Sequence, residues 1–281
     1  MSMATSVVML GTGNPNPDPA RSGPSVAVVV DGEAYIVDAG PGVVRKAQAA
    51  FQKGIEALRP DRLRTLFLTH LHSDHTLGLP DMMLTPWVME RREPLRIMGP
   101  PGTSDMVKHL MYAYEKDIMV RRTGLEKAND TGWRTVVEEI GPGSSYVDDK
   151  VEVMAFSVRH GSWDHAFGFR FITRDGCVVI SGDCSPMPGL ELNYTGADIL
   201  VHEVYSTSGL EVRPENWNAY HKDSHTSSVE LARMADQARP KLLVLYHQLT
   251  WGMSEDRFLK EISRIYDGPV ISANDLDVFR I

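Results

Sequence analysis

At 281 residues the chain is long enough to bury a large core, and with no internal repeat, low-complexity tract or long linker it reads as one domain spanning residues 1–281. A formal net charge of −8, from 37 acidic against 29 basic residues, argues against a broad nucleic-acid surface, which needs clustered Lys and Arg. Two cysteines give no disulfide framework and fit a reducing compartment. No apolar run approaches the roughly 20 residues of a membrane helix, and Met1 to Ser6 lacks a basic-then-apolar leader pattern; a cytoplasmic protein with no membrane partner is the expectation.

Val7 to Leu10 reads as a strand running into Gly11-Thr12-Gly13-Asn14-Pro15, a Gly-x-Gly that lacks the third glycine and the following helix of a dinucleotide loop. Ser25 to Val30, Asp31-Gly32 and Glu33 to Val37 form a hairpin, because Asp-Gly suits a positive-φ turn. Gly42 to Leu58 is predicted helical and is broken by Arg59-Pro60-Asp61. The apolar run Leu66-Phe67-Leu68 then enters Thr69-His70-Leu71-His72-Ser73-Asp74-His75. Between Pro80 and Lys150, Gly102 to Tyr114 reads as a helix with Met106, Leu110 and Tyr114 on one face and His109 off it. Met82, Met83, Met89, Met106 and Met111 read as adaptable core or cleft filler. The pairs Arg91-Arg92 and Arg121-Arg122 read as solvated surface, and Thr123 to Gly143 is left open as a roof over the active site. Strand-like runs follow at Val151 to Val158 and in a tight hairpin, Phe167 to Thr173 and Cys177 to Ile180 around Arg174-Asp175-Gly176. A last alternation of strand and helix covers Val229 to Ala238, Lys241 to Tyr246, Glu255 to Ile265 and Val270 to Ile281. Alternation at both ends of the chain implies two similar halves, each a sheet with covering helices.

The segment from Thr69 to His75 carries the chemistry. An apolar strand ending in a polar loop holds ligands rigidly at a cleft, and imidazole with carboxylate suits zinc, iron or manganese. His70 and His72 alternate, so in an extended backbone both point to one side and can grip one ion; Asp74 and His75 can serve a second.

At these residues the chain resembles the metallo-β-lactamase superfamily, whose hallmark is His-x-His-x-Asp-His at a strand end. The resemblance covers nearly the whole length. It implies an α/β fold, a four-layer αββα sandwich of two mixed sheets flanked by helices, and two divalent metal ions, zinc first, with manganese or iron as alternatives. It puts His70, His72 and His160 on one ion, Asp74, His75 and His247 on the other, and Asp183 between them. Asp38 matches a position that steadies the ligand loop. Each matched residue follows an apolar run. Two ions sharing a water lower its pKa toward neutrality and make hydroxide available without a protein base. Cys184, beside Asp183, reads as a buried neutral thiol.

Leu200-Val201-His202-Glu203-Val204-Tyr205, followed by Asp223-Ser224-His225-Thr226-Ser227, resembles the ribonuclease Z and bacterial arylsulfatase-like branch, where a Glu after a buried strand pairs with a His in a His-Ser/Thr element. Glu203 and His225 match that pair, and an imidazole held by a carboxylate can protonate a leaving alkoxide; the plain alternative is a surface pair with Thr226 or Ser227 as a helix cap. His202 reads as core, facing away from Glu203. The candidate catalytic residues are therefore Asp74, which doubles as a ligand, Glu203 and His225. Trp163, His165, Trp217, Tyr220, His221 and Trp251 lie near ligand motifs and can wall a cleft for an aryl or nucleoside group.

One feature departs from the ribonuclease Z pattern. Those proteins usually carry a long Gly- and Pro-rich arm between the third ligand and the bridging Asp, used to clasp transfer RNA, whereas only 22 residues separate His160 from Asp183 here. The expected function is a dinuclear hydrolase that cleaves a small phosphodiester through metal-bound hydroxide, with His225 as proton donor. The alternatives on the same centre are an arylsulfatase-like or a lactone or carboxylic-ester hydrolase. Transfer RNA processing, β-lactamase, thioesterase and non-catalytic di-iron or scaffold roles rank lower. The expected partner is a small ester or phosphodiester, with transfer RNA disfavoured, and the resemblance implies a homodimer.

Overall fold

The computed structural model describes residues 4–281, so Met1 to Met3 of the amino-terminal stretch lie outside the described residues. The contacts of the chain divide into two units. The first comprises residues 4–11, 17–140 and 275–280, the second residues 12–16, 141–274 and 281. Each is built on one mixed sheet, and helices flank the sheets, which gives the expected α/β class.

In the first unit the elements are β1 (Ser6–Gly11), β2 (Ser25–Val30), β3 (Glu33–Val37), α1 (Val43–Gln52), β4 (Thr65–Phe67), α2 (Ser73–Thr76), α3 (Leu79–Val88), β5 (Leu95–Gly99), α4 (Thr103–Ala113), α5 (Glu115–Thr123) and β6 (Thr135–Glu139). The strand Val278–Arg280 lies antiparallel on the outside of β1, and β1 to β6 follow in sequence order. The pairs β1–β2 and β2–β3 are antiparallel; β3 to β6 pair in parallel, joined by the helices. The predicted hairpin forms with Val30 opposite Glu33, and Asp31 and Gly32 at φ 46° and 78° give the positive-φ turn. β1 and β2 are buried at every position, as their unbroken apolar runs require. One face of the sheet, with Val8, Val29, Ile36, Leu66 and Ile97, packs in one core with Val43, Val44 and Ala47 of α1 and Leu79, Met82 and Met83 of α3.

The differences from expectation have local causes. α1 stops at Gln52, six residues short of Leu58, because Gly54 takes φ +97° and the Ile55 amide donates back to Ala50. Met89 is exposed just past the end of α3, so it fills neither core nor cleft. Thr123 to Gly143 is no detached roof: Thr135–Glu139 supplies β6, the edge strand beside β5, and Asn129 donates to the Arg91 carbonyl.

Arg91 is the clearest correction to the surface reading. It is fully buried, and its guanidinium donates to the carbonyls of Leu63, Met82, Met83 and Gly132. Burial pushes its pKa down to about 10. Its planar fork of donors suits several acceptors at once, which an ammonium cannot match. Arg92, Arg121 and Arg122 stay partly or fully exposed.

The second unit comprises β7 (Ser145–Val147), β8 (Val151–Ser157), β9 (Phe167–Thr173), β10 (Cys177–Ile180), β11 (Ile199–Tyr205), α6 (Thr207–Glu211), α7 (Glu215–Ser224), α8 (Ser228–Ala238), β12 (Leu242–Leu249), α9 (Glu255–Ser263) and β13 (Val270–Ser272). Its sheet runs β13-β12-β11-β10-β9-β8-β7. The pairs from β7 to β10 are antiparallel and those from β10 to β13 parallel. Leu231, Ala232 and Ala235 of α8 and Phe258 and Ile262 of α9 cover one side of it. Ser227 caps α8 reciprocally with Glu230. The predicted last element, Val270 to Ile281, divides: β13 joins this sheet, and Val278–Arg280 the first. Among the described residues no helix is long and apolar enough to cross a membrane.

Arg91→Ala should cost at least about 3 kcal/mol, because four buried carbonyls lose a charged donor, and Arg91→Lys should recover only part of it. Urea unfolding of both variants checks this; stability equal to the parent protein would remove the anchoring role.

Candidate active site

β3 and β4 end side by side in the first unit and deliver its polar residues. The chain leaves β3 at Asp38, whose φ is 63° and whose amide donates to Phe67 of β4. This turn puts the Asp38 carboxylate, 1% exposed, under the loop that follows β4. The Thr69 amide and hydroxyl both donate to it, at 2.8 and 2.9 Å, and His75 Nδ1 lies 2.7 Å from Oδ2.

Proton bookkeeping then settles the histidine tautomers. A carboxylate only accepts, so His75 Nδ1 carries the proton and leaves Nε2 with a lone pair. The Thr69 hydroxyl spends its one hydrogen on Asp38 and accepts from His70 Nδ1 at 2.9 Å, which leaves His70 Nε2 as a lone pair too. That nitrogen faces His72 Nδ1 at 3.0 Å. His75 Nε2 lies 3.6 Å from Asp74 Oδ2. Thus the four predicted residues of the first unit converge, with His70 and His75 fully buried, Asp74 9% exposed and His72 half-buried.

Five further residues converge in the second unit. His160, past the end of β8, holds its Nδ1 2.6 Å from the Ser224 carbonyl, an acceptor, so Nε2 is again the lone pair. Asp183 follows β10 through Gly182 at φ 62° and is buried. His247 lies within β12, in a bulge: Tyr246 pairs with Glu203 and Gln248 with Val204, leaving His247 as the extra residue at φ 46°. Such a bulge re-aims a side chain at a functional site, and His247 Nε2 lies 3.2 Å from Asp183 Oδ2.

Glu203 is fully buried on β11. Its Oε1 accepts from the Thr226 amide at 2.7 Å and the Cys184 amide at 3.4 Å, while Oε2 faces His225 Nδ1 at 3.3 Å. Oε1 is thus held by two backbone amides, while Oε2 has no hydrogen bond and meets the His225 ring, an arrangement that suits a carboxylate orienting that imidazole. The surface-pair reading does not hold, since His225 is only 4% exposed. Ligand atoms of His160, Asp183 and His225 lie within 4.8 Å of one another, as do those of Glu203, His225 and His247. Burial and the neighbouring Asp183 push the Glu203 carboxyl well above the usual carboxylate range. Cations beside these two acids would reverse that pressure, so the donor set fits divalent metal ions.

Other predicted residues divide. Cys184 is buried, its thiol pushed up by burial, with Tyr194, His202 and Thr226 around the sulfur. His202 is core as expected, 3.0 Å from the Tyr194 hydroxyl, and burial lowers its pKa to about 4. His165 is exposed, as is Trp163, whose backbone pairs with His160. Trp217, Tyr220, His221 and Trp251 gather near His225. Thr69 and the Ser224 carbonyl went unmarked as partners of the histidines. Thr69 was findable beside His70, whereas a carbonyl 64 residues from His160 leaves no trace in side-chain identity.

A sequence profile described as the beta-lactamase superfamily domain matches residues 34–248. A ribonuclease Z from Mycobacterium sp. (strain KMS) is 36% identical over 247 residues, 86% of this chain and 84% of that protein. A ribonuclease Z from Mycobacterium marinum (strain ATCC BAA-535 / M) is 32% identical over 275 residues, 96% of each chain. The crystal structure of human tRNase Z, short form, superposes with a TM-score of 0.73 at 25% identity, covering 98% of this chain and 99% of that one.

Asp38→Asn should lower zinc affinity about 10- to 100-fold, because the amide cannot serve both Thr69 and His75 as a carboxylate does. Competition titration against a chromophoric chelator checks it, with circular dichroism confirming that the variant is folded; unchanged affinity would remove the tautomer-setting role.

Proposed function

We propose that this chain, which belongs to the metallo-β-lactamase superfamily, is a phosphodiesterase with His225 as its proton donor. It is a metal-dependent hydrolase of that fold. We assign His70, His72 and His160 to one ion, Asp74, His75 and His247 to a second, and Asp183 to both, within one catalytic domain of residues 1–281. Support comes from the donors themselves: His70, His75 and His160 each have Nδ1 taken by an acceptor and so offer Nε2. Two divalent ions, with zinc best suited to imidazole and carboxylate, supply a water of lowered pKa and a field for negative charge.

The observation that carries the reaction type is the Glu203–His225 pair. Hydrolysis of a phosphodiester expels an alkoxide, which must gain a proton as the bond to phosphorus breaks. His225 is the imidazole available for that proton, and Glu203, buried and fixed by two backbone amides, orients it. Asp74 has a double role, as a ligand and as the carboxylate that steadies the attacking water. A second reading, cleavage within an RNA chain, is favoured by the relatives named ribonuclease Z, one of which matches 96% of both lengths. Cys177 and Cys184, both free and buried, support a cytoplasmic location. A homodimer, implied by the resemblance, is part of the proposal and is checked by sedimentation.

Metal-loaded protein should hydrolyse bis(p-nitrophenyl) phosphate, lose the activity on chelation and regain it when metal returns. No turnover with two ions bound per chain would move the assignment to aryl sulfates, lactones and other carboxylic esters. His225→Ala should slow substrates with alkoxide leaving groups about 10²- to 10⁴-fold and nitrophenyl esters much less, with metal content unchanged. Loss of metal, or equal damage on both substrate types, would remove the proton-donor role.

A further inference from the structure

α7 carries a pair of aromatic residues that packing does not explain. Trp217 and Tyr220 are 44% and 45% exposed, with ring centroids 6.1 Å apart at 81°. The ring beneath them is His221, only 7% exposed, stacked on Trp217 at 5.9 Å and 28°. His221 in turn meets Trp251 at 4.8 Å, and Trp251 rests against Tyr205 with the Arg213 guanidinium 5.9 Å over its ring. Trp251 keeps φ 47°, uncommon for so bulky a residue, so the surrounding contacts hold it there. The floor is thus fixed, and burial, with help from His225 and Arg213, lowers the His221 pKa to about 4, which keeps that ring neutral near pH 7.

The position of this platform relative to His225 gives it a side of the reaction. Tyr220 lies 6.2 Å from His225 and His221 lies 5.9 Å from it. If His225 protonates the departing oxygen, rings one residue-width away on α7 meet the group attached to that oxygen. Flat exposed rings over a neutral floor suit another flat ring; an aliphatic group gains little from such faces, whereas a base stacks on them whatever its sequence.

We propose that Trp217 and Tyr220 form a stacking subsite for the base of a nucleoside on the leaving-group side of the scissile phosphodiester. This rests on the phosphodiesterase reading and adds a substrate class to it, a diester with a nucleoside on the oxygen that leaves. A base stacked there is held while the P–O bond breaks, water adds to phosphorus, and the nucleoside oxygen takes its proton from His225.

The test compares adenylyl adenosine, which carries a base on either possible leaving side, with the same dinucleotide lacking both bases. The parent protein should prefer the base-bearing diester in kcat/KM about 10- to 100-fold. Trp217→Ala and Tyr220→Ala should each reduce that preference about fivefold or more, while Tyr220→Phe keeps it. A preference absent from the parent, or unchanged when both rings are removed, overturns the subsite. Should the metal-loaded parent cleave neither diester, the phosphodiesterase reading fails on its own, and quenching of tryptophan fluorescence by adenosine then decides. Saturable quenching that disappears in Trp217→Ala supports the subsite, and absence of quenching in the parent overturns it.

Discussion

An imidazole can offer a lone pair to a cation only if its other nitrogen has somewhere to put a proton, and this constraint organises both units. In the first, the Asp38 carboxylate fixes His75 directly and His70 through the Thr69 hydroxyl. In the second, the Ser224 carbonyl fixes His160. Each acceptor is buried, so water cannot take its place and let the ring change tautomer. Deletion of such an acceptor would remove no ligand yet leave a ring free to turn the wrong nitrogen inward.

Backbone geometry serves the same end. Parallel strands finish together, and the functional residues cluster where they finish: Asp38 after β3, His70 after β4, Asp183 after β10, and Glu203 and His247 late in β11 and β12. Ligands of open α/β sheets gather at carboxyl ends for this reason. Three of these exits use a left-handed backbone, at Asp38, Gly182 and His247. For Asp38 and His247 that conformation is strained, and it persists because the hydrogen bonds of Asp38 and the pairing of β12 on both sides of the bulge over-determine it.

How much of this is legible in the amino-acid order depends on the range of the interaction. The motif from His70 to His75 is local, and the Asp-Gly hairpin and the Ser227 cap are set by residues within a few positions of one another. Glu203 and His225 were readable as a pair only through resemblance, since 21 residues and two helices separate them. The bulge at His247 was not readable, because it belongs to the pairing of two strands. Arg91 misled for a related reason: an Arg-Arg pair has the composition of surface, and only the fold reveals four carbonyls around one guanidinium. Glu261 was equally silent. Its buried carboxylate accepts from the backbone of Thr207 and Ser208 and from the hydroxyl of Ser206.

That last contact bears on how the site can change its substrate without losing its chemistry. Glu261 ties down the start of α6, and α7 follows within a few residues and ends at Ser224. Ser224 gives His160 its acceptor, and the next residue is His225. One helix therefore fixes the His160 tautomer and delivers the His225 imidazole at its carboxyl end, while Trp217 and Tyr220 remain on its exposed side. The end of α7 tolerates little movement, because displacement there would disturb His160 and His225 together. The exposed positions carry no such demand, so substitution among them leaves the His160 tautomer and the His225 imidazole where they are, and under the proposed reading changes only what stacks there.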